Sequence, residues 1–504
     1  MKTVAIIAPI DEKGRKSMYV DFTLSIDNVE LSLYNFYHII RNNYKTENNE
    51  KLIKKIGFGV PAAGYLLESF LKLNNYDTTL SNNVEKAALE KVAQKNPLAV
   101  CLSTTMITNK SAFKDYVRRI RAYLPGTKII AGGMFVWKSY KFCEYLTCYS
   151  GSASFERDLA QEVFFDFSYD ENNPESNADI IVASPDGLGI LLQILKELEK
   201  GKKGDISQIP NLYILNGDKY FITKRSIENI NIDEHFTHWD LIDELPRKFT
   251  IRTSLGCNLR CHFCDFCSLF PRFLVRSGDS LRQELSIIKK TNKYKNAVIE
   301  FTDNNILFSS KRTDEICNIL IESKINMRWL SFMHFSAIRP EQIKLIKKSG
   351  FSLAVFGLES GDQDQLHRMN KKQDLGTVKN AIELLSRHNI EAMLSLIIGY
   401  PGETEESIDK TVSFLNNLNA KLTRYFMFPL YVFPLSEVSS VELRKKWQLK
   451  GILDKWEHAT LSSDQVVDYG YRLFKQVENI PILYDTESMF HNKYFFLLRN
   501  KQKL

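Results

Sequence analysis

What the sequence lacks narrows its class first. No run of 18 or more apolar residues occurs in its 504 positions, so no membrane-spanning helix and no membrane partner are expected. The opening, MKTVAIIAPID, offers about seven apolar residues before Asp11 and no small-residue cleavage site behind them, so no secretory signal is expected. Cysteine is scarce: eight in the chain, too few for a disulfide framework at this length. No charge sign dominates, because 67 Lys and Arg against 60 Asp and Glu leave a formal net charge of +7. So mild an excess, spread over short runs such as 200–203 (KGKK), implies no nucleic acid. Repeats and low-complexity tracts are absent too. A cytoplasmic globular chain of about three domains is expected.

What is present alternates. Apolar strand-like runs at 4–9, 98–103, 128–131 and 179–183 are separated by helix-like spacing at 62–72, 111–123 and 190–200. Strands alternating with helices predict a parallel sheet covered on both faces, a Rossmann-like domain over 1–200 with an insertion at 10–58. Residues 201–245 read as a linker. From 246 to 432 the alternation becomes regular: strands near 249–255, 297–302, 329–334, 353–358, 392–398 and 424–430, with helices between them. Six βα units predict a partial (β/α)6 TIM-type barrel, with ligands at the C-terminal ends of its strands. The remainder, 433–504, reads as a small α-rich capping region. The fold class is α/β.

Four of the eight cysteines crowd into 257–267, directly after the first barrel strand. Cys257-Asn-Leu-Arg-Cys261-His-Phe-Cys264 has the spacing C-x3-C-x2-C. Three thiolates on one loop can hold three irons of a cubane and leave the fourth iron open for a ligand. A closed site, with His262 completing a zinc tetrahedron or Cys267 as a fourth thiolate, is the alternative. The side chain of His262, between two proposed ligands, is expected to point elsewhere. No cysteine follows Cys317, so no second cluster is expected in the tail.

This motif, with the aromatic Phe263 before the last cysteine, resembles the signature of the radical S-adenosylmethionine superfamily. The resemblance implies a 4Fe–4S cluster on Cys257, Cys261 and Cys264 that chelates S-adenosylmethionine, with Phe263 near the adenine. Further segments resemble the family in order along the barrel. Asp303-Asn304-Asn305 would reach the methionine amino group. Gly-Leu-Glu359-Ser-Gly would contact the ribose through Glu359. Gly399-Tyr-Pro401-Gly-Glu403-Thr would supply backbone contacts near the adenine, and Glu403–Glu406 also suit a helix start.

Residues 1–200 resemble the cobalamin-binding domain that precedes the barrel in one subfamily, through Gly64 in a small-residue helix, Ser103-Thr104-Thr105, and Gly132-Gly133. The resemblance implies that these residues line the slot for the nucleotide tail. The Asp-x-His-x-x-Gly motif of a lower-axial histidine is missing. The only histidine before residue 235 is His38, on an amphipathic stretch, so cobalt without a histidine ligand is expected. Ser184-Pro-Asp186-Gly187 departs from the family's Gly-x-Gly-Glu.

The function implied is a cobalamin-dependent radical methyltransferase acting on an unactivated carbon or phosphorus centre of a small molecule or peptide, with an electron donor such as flavodoxin or ferredoxin. Maturation or rearrangement chemistry without methyl transfer is the alternative within the enzyme class. An iron–sulfur or cobalamin-binding regulator is the alternative outside it. Trp456 and His458 are candidate substrate contacts, with a packed tryptophan and a bonded histidine as the commoner outcome.

Overall fold

The structure, a computed structural model, describes residues 2–10, 61–148, 158, 161–419 and 422–480, together with the paired strands Thr23–Ile26 and Val29–Ser32. The rest of the expected insertion at 10–58, His38 included, and the chain after 480 lie outside the described residues.

The N-terminal sheet has seven strands: β1 (Thr3–Ile7), β2 (Asp77–Ser81), β3 (Ala99–Ser103), β4 (Lys128–Gly132), β5 (Ile180–Val182), β6 (Leu212–Asn216) and β7 (Lys219–Ile222). Their spatial order is β2-β1-β3-β4-β5-β6-β7. The first five are parallel and the last two antiparallel. β1 and β3 are apolar along almost their whole length because helices cover both faces. Leu71, Ile190 and Ile194 pack on one face, and Phe113, Val117 and Ile120 on the other. The chain runs from β1 to β2 on one side and then to β3 on the other, so the sheet switches direction between β1 and β3. That switch opens a crevice at the strands' C-terminal ends.

β6 and β7 correct the expected linker at 201–245. They form a hairpin turning at Asn216-Gly217-Asp218, with Gly217 at φ +64°. Asn-Gly between alternating residues is a hairpin signal. Leu212 is buried against β5, so the hairpin completes the sheet. The segment after it is anchored as well: Trp239, fully buried, packs on Tyr65 of the first domain at 5.6 Å and on Phe249 of the first barrel strand at 5.0 Å.

The second sheet is β8 (Lys248–Ile251), β9 (Val298–Phe301), β10 (Arg328–Met333), β11 (Phe351–Glu359), β12 (Glu391–Ile398) and β13 (Thr423–Pro429). They stand in chain order and every pair is parallel, so this is the expected partial barrel, with β8 and β13 as its two edges. Side-chain caps start its helices. Asp374 accepts from Thr377 N before Leu375–Arg387, and Thr404 and Ser407 form a reciprocal capping box before Glu405–Asn416. The C-terminal region adds helices Val441–Trp447 and Val466–Gln476. It also holds an antiparallel sheet of β14 (Lys450–Ile452), β15 (Lys455–His458) and β16 (Leu461–Ser462), which its aromatic-rich sequence does not announce.

Candidate active site

Every candidate of the barrel sits at a strand's C-terminal end. The cysteine loop leaves β8 through Thr253, Ser254 and Gly256. Gly256 is at φ +90°, and a Cβ there would stand 2.6 Å from Arg272 O, so the close approach requires glycine. The loop is clamped from two sides. His262 N donates to Met369 O (2.9 Å), and Asn370 Nδ2 donates to Arg260 O (2.6 Å). Val438 N, from the C-terminal region, donates to His262 O (2.8 Å). The His262 ring turns to Arg368 O, with Nδ1 3.2 Å away, and so points away from the thiols' role.

Burial pushes the Cys261 thiol up to about 11 and the Cys264 thiol up to about 12. Such thiols stay protonated at neutral pH unless a cation replaces the proton. Cys257 Sγ accepts from Leu259 N at 3.5 Å. Cys267 behaves differently: its Sγ donates to Leu259 O at 2.9 Å, within the short helix Phe266–Leu269. Among the described residues no three Cys, His, Asp or Glu side chains close on a single-ion site. Three thiols on one loop at this spacing are the kind of donor set that a multi-iron group takes.

Asp303 is placed otherwise than expected. Its carboxylate is buried and accepts from Thr253 N (3.0 Å), Thr253 Oγ1 (2.9 Å) and Ser254 Oγ. It ties the root of the cysteine loop to β9. Asn304 is exposed on the rim. Asn305 links Asn258 of the cysteine loop (Nδ2 to Oδ1, 3.0 Å) to His334 N (3.1 Å) at the end of β10.

Glu359 ends β11 at φ +66°, where the register with β12 shifts. Its Oε1 accepts from Lys371 Nζ at 2.9 Å, and both side chains are buried. Lys371 Nζ also lies 5.9 Å from the Phe263 ring. The sequence shows Lys371 only as the end of Met-Asn-Lys, and nothing local marks it as buried.

The turn after β12 is held from within. Gly399 N donates to Glu403 Oε2, and Gly399 O faces His458 Nε2 at 3.0 Å. Both main-chain groups of Gly399 thus have a partner within the protein. A Cβ on Gly399 would stand 2.6 Å from Trp456, whose indole donates to Leu430 O at 2.9 Å. Trp456 and His458 are thus a packed tryptophan and a bonded histidine, stacked at 5.1 Å. Pro401 is buried in the same turn.

Glu403 precedes the helix rather than starting it. Burial pushes its carboxyl up to about 8. Between the ordinary carboxyl range and that value the folded chain keeps a proton that the unfolded chain has released. Stability from this group is therefore full at low pH and is lost as pH rises through about 8. Glu403→Gln keeps an acceptor for Gly399 N. Its melting temperature relative to the parent should rise by several degrees from pH 5 to pH 9, measured by circular dichroism. A pH-independent difference would contradict this.

In the first domain, Ser103 and Gly132 end β3 and β4, Thr105 and Gly133 follow just beyond, and Gly64 sits in the first turn of helix Ala62–Leu73. Gly133 stands at φ +119°, and a Cβ there would meet Thr105 Oγ1 at 2.9 Å. Thr104 departs from the expectation of a slot residue. It is fully buried, donates Oγ1–H to Gly132 O (3.0 Å) and accepts from Val136 N (3.3 Å), which fixes the start of helix Met134–Cys148. That helix adds a second contact between the halves. Trp137 Nε1 donates to Leu269 O (3.1 Å), and Lys138 pairs with Asp265 (3.0 Å), one residue beyond Cys264. The crevice end of the first sheet therefore faces the cysteine loop. At Ser184-Pro-Asp186-Gly187, Gly187 N donates to Glu228 (3.1 Å), so a carboxylate from the next segment caps the helix Leu188–Glu199.

Residues 251–415 match the family model of the radical SAM superfamily. The chain carries a radical SAM domain. Its curated relatives include an uncharacterized methyltransferase of Pyrococcus horikoshii, 27% identical over 180 residues, 35% of this chain and 38% of that one. The chain spans well under half the length of the first curated relatives it matches. In three dimensions the radical SAM domain and the sheet before it follow the radical S-adenosylmethionine methyltransferase TsrM of Kitasatospora setae, a structure with cobalamin and a [4Fe-4S] cluster bound. The TM-score is 0.58 at 13% identity, over 88% of this chain and 75% of that one. They also follow the cobalamin-dependent S-adenosylmethionine radical enzyme OxsB, with a TM-score of 0.55 at 14% identity, over 95% of this chain and 57% of that one. At such identities the likeness establishes the fold: a sheet domain of that kind joined to a radical SAM barrel.

Proposed function

We propose that the chain is a cobalamin-dependent radical SAM methyltransferase acting on an unactivated carbon or phosphorus centre of a small molecule or peptide. One observation carries the reading. The switch-point crevice of the first sheet is fastened against the cysteine loop through Trp137 and Lys138, so two ligand-binding ends converge on one space. The fold shared with TsrM and OxsB, whose structures hold cobalamin, supports it.

Cys257, Cys261 and Cys264 hold the cluster. Cys267, bonded to a carbonyl, stays outside. Phe263, Asn304 and Glu359 face the cosubstrate from three strand ends. The turn of Gly399 and Pro401 shapes the pocket wall rather than donating to it. Ser103, Thr105, Gly132, Gly133 and Gly64 receive the cobalamin tail, with no histidine ligand to the cobalt. When bound, the cluster and S-adenosylmethionine supply a 5′-deoxyadenosyl radical, and cobalamin supplies a methyl group. The protein orients these groups and keeps water from the space between its halves. An electron donor such as flavodoxin or ferredoxin serves the cluster, in the cytoplasm. Fate of the methyl label from S-adenosylmethionine tests the reading: labelled methyl on protein-bound cobalamin is expected.

A further inference from the structure

We propose that the buried pair Glu359–Lys371 sets the reduction potential of the cluster, with Lys371 as the cation that favours the reduced state. This deepens the cluster reading above and rests on it.

Four observations converge. Lys371 is fixed relative to the cysteine loop, because its neighbours Met369 and Asn370 make the loop's clamp, His262 N to Met369 O at 2.9 Å and Asn370 Nδ2 to Arg260 O at 2.6 Å. Its ammonium lies 5.9 Å from the ring of Phe263, the residue between Cys261 and Cys264. It is buried, and it pairs with Glu359 Oε1 at 2.9 Å. The backbone is shaped for the pair. Glu359 takes φ +66°, uncommon for a residue with a Cβ, at a register shift in β11. At Gly357 a Cβ would come within 2.1 Å of Glu359 Oε1 and 2.6 Å of Lys371 Nζ, so glycine leaves the room the pair occupies.

A buried ion pair is a poor stabiliser, since desolvation offsets most of the attraction and an apolar pair of like volume would serve as well. Placed beside thiolates, however, its two charges act on the cluster. One-electron reduction adds one negative charge to the cluster and no proton. A nearby cation lowers the energy of that state, and a nearby anion raises it. His334 does not compete as a second cation: burial, with Lys371 nearby, pushes its imidazole down to about 4.

The pair therefore predicts shifts of opposite sign. Removing the lysine leaves Glu359 unopposed and makes the cluster harder to reduce. Neutralising the glutamate leaves Lys371 unopposed and makes it easier. A merely structural role gives no such signs. The test is an anaerobic potentiometric titration with dithionite of the full chain, reconstituted with iron and sulfide and free of S-adenosylmethionine, followed by electron paramagnetic resonance of the reduced cluster. Iron and sulfide counts are taken on each sample. Lys371→Met is expected to lower the midpoint potential, Glu359→Gln to raise it, and Lys371→Arg to leave it at the parent value. Where Lys371→Met does not fold, the rise in Glu359→Gln decides alone. Potentials equal to the parent's in the charge-removing variants, or shifted in one common direction, would overturn the proposal while leaving the cluster reading intact. A parent protein that takes up no iron would overturn both.

Discussion

Replacing Cys257, Cys261 and Cys264 together by alanine is expected to abolish iron and sulfide binding after anaerobic reconstitution, and with it all cleavage of S-adenosylmethionine under dithionite. The three thiols are the only donors the cysteine loop offers in the required spacing. Two of them are raised by burial so far that they become thiolates only on binding a metal. Cys267→Ala, in contrast, should keep a full iron count and keep cleavage, because its thiol is spent on Leu259 O at 2.9 Å. Retention of a full cluster by the triple variant would refute the assignment. Loss of the cluster in Cys267→Ala alone would show a closed, four-thiolate site and turn the account toward electron transfer.

The second large effect is expected at Asp303. In Asp303→Ala the N–H and hydroxyl of Thr253 and the hydroxyl of Ser254 lose their acceptor inside the protein. Arg312, buried nearby, loses a compensating charge. Breaking a buried charged cluster of this kind costs on the order of 3–5 kcal/mol. In a unit of this size that corresponds to a fall of about 10 °C in the melting temperature. Thr253 and Ser254 root the cysteine loop, so cluster occupancy should fall with stability. Calorimetry and iron analysis on the same samples check both. A variant that melts like the parent, yet loses affinity for S-adenosylmethionine, would return Asp303 to a cosubstrate role.

Asp303 also shows where the sequence stops being legible. Apolar runs bounded by turn residues, such as β3 and β12, announce themselves, because a strand covered on both faces must be apolar nearly throughout. The cysteine spacing is equally plain, since one loop supplies every donor. β2, with the polar sequence Asp-Thr-Thr-Leu-Ser, is an edge strand exposed to solvent along part of its length, and no local pattern separates it from a loop. The hairpin of β6 and β7 is announced in the sequence only by its Asn-Gly turn. The partners of side chains were the least legible. Glu403 reads locally as a helix-start charge, yet Gly399 claims it from four residues upstream. Lys371 reads as surface lysine until β11 brings Glu359 to it. Thr104 reads as a crevice residue until helix Met134–Cys148 turns its hydroxyl inward. In each case the deciding contact joins segments whose adjacency only the fold creates.

The central claim is that one space serves a radical-generating cluster and a methyl-carrying cobalamin. It is tested most directly by incubating the reconstituted, cobalamin-loaded full chain with methyl-labelled S-adenosylmethionine under reducing, anaerobic conditions and analysing the small molecules by mass spectrometry. The account predicts both 5′-deoxyadenosine and S-adenosylhomocysteine, with the labelled methyl group recovered on protein-bound cobalamin. 5′-Deoxyadenosine without S-adenosylhomocysteine, and with no label on cobalamin, would contradict it.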